Sequence, residues 1–328
     1  MAINAICNGI PFPKGEGISS SIKKAMVLWY DLKRQGATNE TMKANPKLID
    51  LSGNGHDATC YNFAWSGMSS IGGYVQVNFD DTHTIQNNAG WKYLFSVAQY
   101  VPQEFQMKVI CKNPPIKTVN IIGAWNEGYE SFSEVITTIK INEVQTIPIL
   151  NLDPKYKKIH ISYNNLIGYE VTTKQIPEYP NTLVADGVDN YALCSTLPTL
   201  DDFTIVAKRK ILNDSFCFAS ASDVVNKGAF VLESDYSTQF MVYSFGAGNS
   251  TSRAVDDIIY MTPTSYNGTA ITRGTNNEGN NLNLFRVRNG DSRYMKGVLY
   301  SFILFNRTLT TKEINWVKHN LIEGDTEL

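Results

Sequence analysis

An all-β sandwich is the fold class this sequence predicts, on three observations. Short runs of β-branched and aromatic residues alternate with polar ones at period two along most of the chain. Gly, Asn, Asp and Pro interrupt these runs at close intervals, as turns between antiparallel strands require. Helical periodicity is persuasive only near the C-terminus. Hydrophobic residues make up 43% of the 328, ample for packed cores, and the length suggests more than one of them.

Residues 1–24 mix Gly, Pro, Ser and Lys with little periodicity and are expected to form an arm that orders on a neighbour. Residues 25–96 form the first part of a sandwich, with strands predicted at 25–31 and 73–79. Residues 97–181 read as an inserted module of about six short strands. Tyr100-Val101-Pro102 and Ile176–Pro180 flank it, and proline cannot donate to a ladder, so both flanks read as stiff linkers. The size suits an immunoglobulin-like β module. Residues 182–328 then complete the sandwich, with strands predicted at 183–185, 190–194, 203–211, 215–220, 228–234, 239–245, 257–262, 284–288 and 297–306. Within this part, 270–283 reads as a mobile polar loop of turn formers. The short C-terminal helix starts at Thr310-Thr311-Lys312-Glu313, a capping box. Its apolar face is Ile314, Val317 and Leu321, and Gly324 supplies a stop.

Several function classes fall away on composition. Twenty-nine Lys and Arg against 31 Asp and Glu give a net charge of -2, without the basic field a nucleic-acid binder needs. No apolar run is long enough to cross a membrane as a helix, so membrane insertion is not expected. The first residues lack the basic start and apolar run of a secretory leader. The five cysteines, Cys7, Cys60, Cys111, Cys194 and Cys217, are scattered, and there are only four histidines. That pattern predicts buried free thiols in a reducing compartment rather than a disulfide frame or a zinc site.

Four segments together resemble the concanavalin A-like lectin/glucanase superfamily, in its laminin-G-like branch. They are Leu28–Asp31 with Leu51–Ala58, then Leu183–Tyr191, then Asp202–Ala207, and most specifically Gly297–Thr310, which runs into the helix. The resemblance implies a laminin-G-like jelly-roll sandwich split by the inserted module. The runs Leu32–Glu40 and Asp57–Met68 are similar to virion proteins of tailed phages of gut Bacteroides-type bacteria. That likeness implies a virion structural protein: a head decoration, a head fibre, or a tail or fibre component. It would be made in the bacterial host cytoplasm and located in the virion, with other virion proteins and further copies of itself as partners. Attachment to a host-surface glycan is compatible with it, and a carbohydrate-binding module for host polysaccharide is the alternative.

The chain lacks the Glu-x-Asp-x-x-Glu strand of the superfamily's glucanases, the Gly-x-Ser-x-Gly elbow and a phosphate-binding Gly-rich loop. A non-enzymatic role is therefore expected, with no cofactor required. Calcium is the one ion left open, because some laminin-G-like domains bind it with loop oxygens. Asp186, Asp189, Asp256 and Asp257 are the candidates, although Asp in such positions more often shapes a turn. A glycan would need aromatic faces for sugar C–H groups and amides for hydroxyls. Trp65, Trp91, Trp125 and Tyr129 lie near loops, and Asn277 and Asn280 supply amides. Trp29 and Trp316 are assigned to the core.

Overall fold

In the computed structural model the chain divides into two compact units, Met1–Trp65 with Ser69–Ile71 and Asn181–Leu328, and Ser66–Met68 with Gly72–Pro180. The structure describes the chain outside residues 1–5, 8–9, 12–17, 78, 80, 85–90, 126–132, 164, 214–216, 223–227, 237–238, 255, 280, 289–291 and 325–328.

The first unit opens with β1 (Ile6–Cys7), β2 (Ile10–Pro11), helix α1 (Ile18–Ala25), β3 (Met26–Asp31), and helices α2 (Leu32–Gln35) and α3 (Asn39–Ala44). Strands β4 (Lys47–Leu48), β5 (Ala58–Tyr61) and β6 (Ser70–Ile71) follow. The second unit supplies β7 (Asp81–Thr84), β8 (Trp91–Ser96), β9 (Phe105–Cys111), β10 (Thr118–Ala124), β11 (Ser133–Lys140), β12 (Val144–Ile147), β13 (Lys158–Ser162) and β14 (Glu170–Gln175). The first unit resumes with β15 (Leu183–Asp186), β16 (Tyr191–Cys194), β17 (Thr204–Ile211), β18 (Cys217–Ala221), β19 (Phe230–Tyr236), β20 (Gln239–Ser244) and β21 (Ala247–Ser250). It ends with β22 (Ile258–Thr262), β23 (Ser265–Tyr266), β24 (Thr269–Ala270), β25 (Leu282–Leu284), β26 (Lys296–Phe305) and α4 (Thr311–Val317).

The all-β sandwich holds. In the first unit one sheet runs β24-β23-β22-β17-β26-β15-β6, with β3 also paired to β26. The other runs β21-β20-β19-β18-β25-β16-β5-β4. Their inner faces share one core, in which Phe203, Phe218, Phe285 and Phe302 are fully buried. Strand β26 is covered on both faces, which explains its nearly unbroken apolar run. Phe302 and Leu304 point into the sandwich, while Ile303 and Phe305 meet Trp29, Ile314, Val317 and Leu321 on the outer side. Burying each aliphatic side chain of α4 there contributes about 1.5–3 kcal/mol.

The capping box of α4 forms as its sequence predicts. Thr310 Oγ1 accepts from Glu313 N–H at 3.3 Å, and Glu313 Oε2 accepts from Thr310 N–H at 2.9 Å. Arg307 grips the same carboxylate at 2.5 and 3.1 Å. That ion pair, with the two Thr310 bonds, holds the Glu313 carboxyl down at about 2. The N-terminal expectation changes. Residues 18–25 are a helix of the first unit, because Ile22 is fully buried beside Trp29, Val317 and Leu321.

Asp50 ties the N-terminal strand down. It is buried, and its carboxylate accepts from Trp29 N–H and Ser52 N–H at 3.0 Å each, Ser52 Oγ at 2.9 Å and His56 N–H at 3.0 Å. Asn54 Nδ2 donates to the Met26 and Val27 carbonyls, 2.9 Å each. The Ser-Gly-Asn-Gly turn is thus a clamp on β3.

The second unit is an eight-stranded sandwich with sheet orders β11-β10-β13-β8 and β12-β9-β14-β7. Each sheet alternates strands from the start and end of the unit, which is the double Greek key of a jelly roll. The seven-stranded immunoglobulin order expected for this module is not the one found. Its boundary also moves from residue 97 to Gly72, because β7 pairs with β14 and β8 with β13. The prolyl segment near Tyr100 therefore lies inside the unit. Gln76 brackets Val101 with bonds of 3.0 and 2.7 Å, and Tyr100 stacks on Phe95. Residues 73–79, expected as a strand, are irregular at 73–77, with Gln76 N–H bound by the Gln175 side chain at 2.9 Å.

The loop at 270–283 is braced rather than free. Gly274 and Asn276 donate to Ser244 O and Phe245 O at 2.9 Å each. Asn249 exchanges bonds of 2.7 and 3.0 Å with Thr272, and a Cβ on Gly274 would lie 2.2 Å from Phe245 O. Cys60, Cys111, Cys194 and Cys217 are buried thiols outside any disulfide, and burial pushes the Cys60 thiol up. Among the described residues no helix is long and apolar enough to cross a membrane.

His160 on β13 gives the second unit a pH dependence. It is 5% exposed, packed edge-on to Tyr93, and burial together with Lys158 lowers its pKa to about 4. Between pH 6.5 and 4 the unfolded chain binds a proton that the folded unit refuses, so stability is full above this window and falls with pH. The loss approaches ~3 kcal/mol at pH 4. Denaturant midpoints of the second unit at pH 7 and 4.5 should differ more in the native chain than in His160→Gln.

Candidate functional site

Strand β10 delivers Trp125 to the end of its sheet. Lys157 N–H donates to Ala124 O at 2.8 Å, which places Tyr156 beside the indole. The rings lie nearly parallel, 11° apart with centroids at 6.1 Å. Gly123 makes room, since a Cβ there would sit 2.7 Å from the Tyr156 ring. Lys155 Nζ stands 4.8 Å from the Trp125 ring centre and 5.3 Å from that of Tyr156. Glu134 Oε2 accepts from Lys155 at 3.1 Å and from Tyr156 Oη at 2.9 Å, and Asp153 lies 3.4 Å from the same ammonium. Those bonds lower the Glu134 carboxyl and raise Lys155, keeping both charged. The result is a half-buried indole, backed by the buried Tyr156 ring and carrying a cation, a surface suited to stacking.

The other predicted glycan residues fall as follows. Trp65 is half-buried at φ 54°, stacked on Phe63 at 5.1 Å and packed against the main core. Trp91 is on β8, but its side chain is outside the described residues, as are Tyr129 and Asn280. Asn277 Nδ2 donates to Asp201 Oδ1 at 3.3 Å. Trp125 is in the second unit, whereas Trp65 and Asn277 are in the first.

The calcium candidates do not fit an ion. Asp186 Oδ1 caps its own turn by accepting from Val188 N–H at 2.9 Å. Asp189, Asp256 and Asp257 are exposed and use their carbonyls instead, toward Asn62 and Arg209. Among the described residues no three His, Cys, Asp or Glu side chains gather as a metal site would need.

Two constellations escaped the sequence reading. Between the sheets of the first unit, Arg209 and Glu233 form a bidentate pair, with Nε to Oε2 at 2.7 Å and a shorter bond from the second nitrogen to Oε1. Tyr266 Oη donates to Glu233 Oε1 at 2.6 Å, and Arg209 also reaches Asp256 O at 2.8 Å. The ladder register shifts at Lys208/Arg209 and between Val231 and Ser234, and Glu233 has φ 57°. These irregularities turn two charged side chains inward that a regular strand would present differently. Burial and the adjacent Glu233 carboxylate raise the Tyr266 hydroxyl, so it stays a donor. The trio can brace the two sheets, but it is sealed from a substrate.

The second constellation is on the outer face of the other sheet. Tyr61 and Tyr191 pair directly across β5 and β16 and stack at 4.8 Å and 15°. Tyr294 follows at 6.3 Å, and the Arg286 guanidinium sits 3.5 Å over the Tyr191 ring centre. Arg286 is also bonded to Asn283 Oδ1 at 2.9 and 3.2 Å. The outward alternation of Tyr61 and Tyr191 is visible in the sequence; their register is not.

No family model matches the chain, and no curated protein matches it. Among solved structures, Trypanosoma rangeli sialidase with the inhibitor DANA aligns at TM-score 0.28 and 14% identity, over 42% of this chain and 27% of that one. The same sialidase with sialic acid aligns at 0.29 and 16%, with the same coverage. With 2,3-difluoro-KDN it aligns at 0.30 and 11%, over 64% of this chain and 53% of that one.

Removing one partner of the Arg209–Glu233 pair leaves a buried unpaired charge. Arg209→Met should therefore cost about 3–5 kcal/mol in chemical denaturation of the first unit. Arg209→Met with Glu233→Met should cost clearly less than the two single changes added together.

Proposed function

We propose that the chain is a non-enzymatic structural protein of a phage virion, a head decoration, head fibre or tail or fibre component, that also meets the host surface. The observation that carries the reading is where the buried charges go. Arg209, Glu233 and Tyr266 close on one another between sheets, and Asp50 is occupied by backbone and hydroxyl donors of its own clamp. Such groups stabilise a scaffold: these described residues of the first unit are engaged with one another rather than poised over a cleft for proton transfer. The segments similar to virion proteins, Leu32–Glu40 and Asp57–Met68, support the same reading. So does the laminin-G-like likeness, because β3 and β26, its first and most specific segments, pair in one ladder. In this reading the protein assembles with other virion proteins and with further copies of itself.

A carbohydrate-binding module for host polysaccharide is the second reading, favoured by the Trp125–Tyr156 pair under Lys155. The two are compatible in a virion protein that attaches to a capsule.

Virions of the encoding phage, purified on a density gradient and digested for peptide mass spectrometry, should yield peptides from both units at structural-protein abundance. Their absence from intact particles, with abundant protein in the infected-cell lysate, would overturn the virion assignment.

A further inference from the structure

We propose that one corner of the second unit, built on Val77, Val101 and Ile149, is the face through which two copies of the chain associate. This rests on the reading above that the protein assembles with further copies of itself, and gives that contact a place.

Exposure singles out the unit. Of the nine large apolar side chains that lie exposed among the described residues, seven belong to Gly72–Pro180, within the smaller of the two units. Three of the seven sit on segments that meet at one corner: Val77 is 38% exposed, Val101 43% and Ile149 57%. Hydrogen bonds join those segments. Gln76 holds both backbone groups of Val101, and Gln175 Nε2 donates to Gln76 O at 3.2 Å. Tyr100 Oη accepts from Leu150 N–H at 2.7 Å, which draws the Ile149 segment to the same place. Pro102 and Pro148, both exposed, fix the backbone beside Val101 and Ile149. A corner held this way loses little conformational freedom on binding.

Composition selects the occupant. Residues 73–77, 93–103 and 144–152 include no Asp, Glu, Lys or Arg, although 18% of the chain is charged. Exposed apolar groups without charges are the make-up of an interface core rather than of ordinary surface. A charged partner face would lose its hydration here against groups that cannot pair with it. A second copy brings the same uncharged corner, so a two-fold contact sets apolar groups against apolar groups without burying a charge. The rim suits that pairing because it carries both signs. Glu104 follows Gln103 and is exposed, while on the adjoining ladder Lys108 of β9 pairs with Val144 and with Lys174 of β14. Each copy therefore offers an acid and bases to the other.

Sedimentation equilibrium of the full chain tests this. At about 100 μM the native protein should have the mass of two chains. Ile149→Asp and Val101→Asp should each weaken association about tenfold or more, with unchanged melting temperatures in dilute solution. Val188→Asp, at an exposed position of the first unit, should leave the mass as it is. In the native chain, amide exchange across residues 97–103 and 146–151 should slow as concentration rises, a readout that needs no variant. A native protein with the mass of one chain, or of three, at about 100 μM would overturn the two-fold contact. So would a dimer that neither Ile149→Asp nor Val101→Asp weakens, or exchange at those residues that ignores concentration. Each of these failures leaves the virion assignment standing, because peptides from purified particles decide that separately.

Discussion

Strand β26 sets the constraint on which the first unit depends. It lies in the middle of its sheet and is buried on both faces, so each of its backbone groups needs a partner. On one side β17 pairs along most of it. On the other, β15 takes the first half and β3 the second. Segments preceding and following the inserted unit must therefore meet on one ladder. The Asp50 clamp and the capping box of α4 then secure the two ends of the chain against that strand.

The charged groups follow the same economy of position. Arg209 leaves β17 at a register shift beside β26, and Glu233 leaves β19 at another, so that the pair spans the sandwich. A buried ion pair contributes modestly compared with apolar packing, but it penalises strand slips strongly, because a slipped register would leave either charge unpaired. Tyr266 supplies the third contact from β23 and extends the brace to the edge of the sheet. Aromatic rings with cations above them recur in both units, Trp125 with the exposed Lys155 in one and Tyr191 with the buried Arg286 in the other.

What the sequence disclosed was local. The Thr310–Glu313 cap, the two-faced apolar run of β26 and the core placement of Trp29 follow from spacings of a few residues, and each is present. What it withheld depends on pairing over long separations. The border at Gly72 rests on β7 and β8 finding β14 and β13, and a proline beside Tyr100 suggested a linker where the fold has a packed corner. The jelly-roll order of the second unit is a matter of which strands meet, which composition does not encode. Arg209 and Glu233 were hidden because bulges break the two-residue alternation on which inward and outward assignments rely. For the sites, Trp125 was legible as a residue near a loop, but its partners Tyr156, Lys155 and Glu134 come from other strands and turns. Tyr61 and Tyr191 stand 130 positions apart in the chain and meet only through register.

Native-state hydrogen exchange, read by mass spectrometry on the whole chain, tests the central claim about β26 most directly. Peptides covering β3, β15, β17 and β26 should share a single, highest opening free energy and lose protection together as denaturant rises. Loss of protection in β3 at low denaturant, while β15, β17 and β26 remain closed, would contradict it.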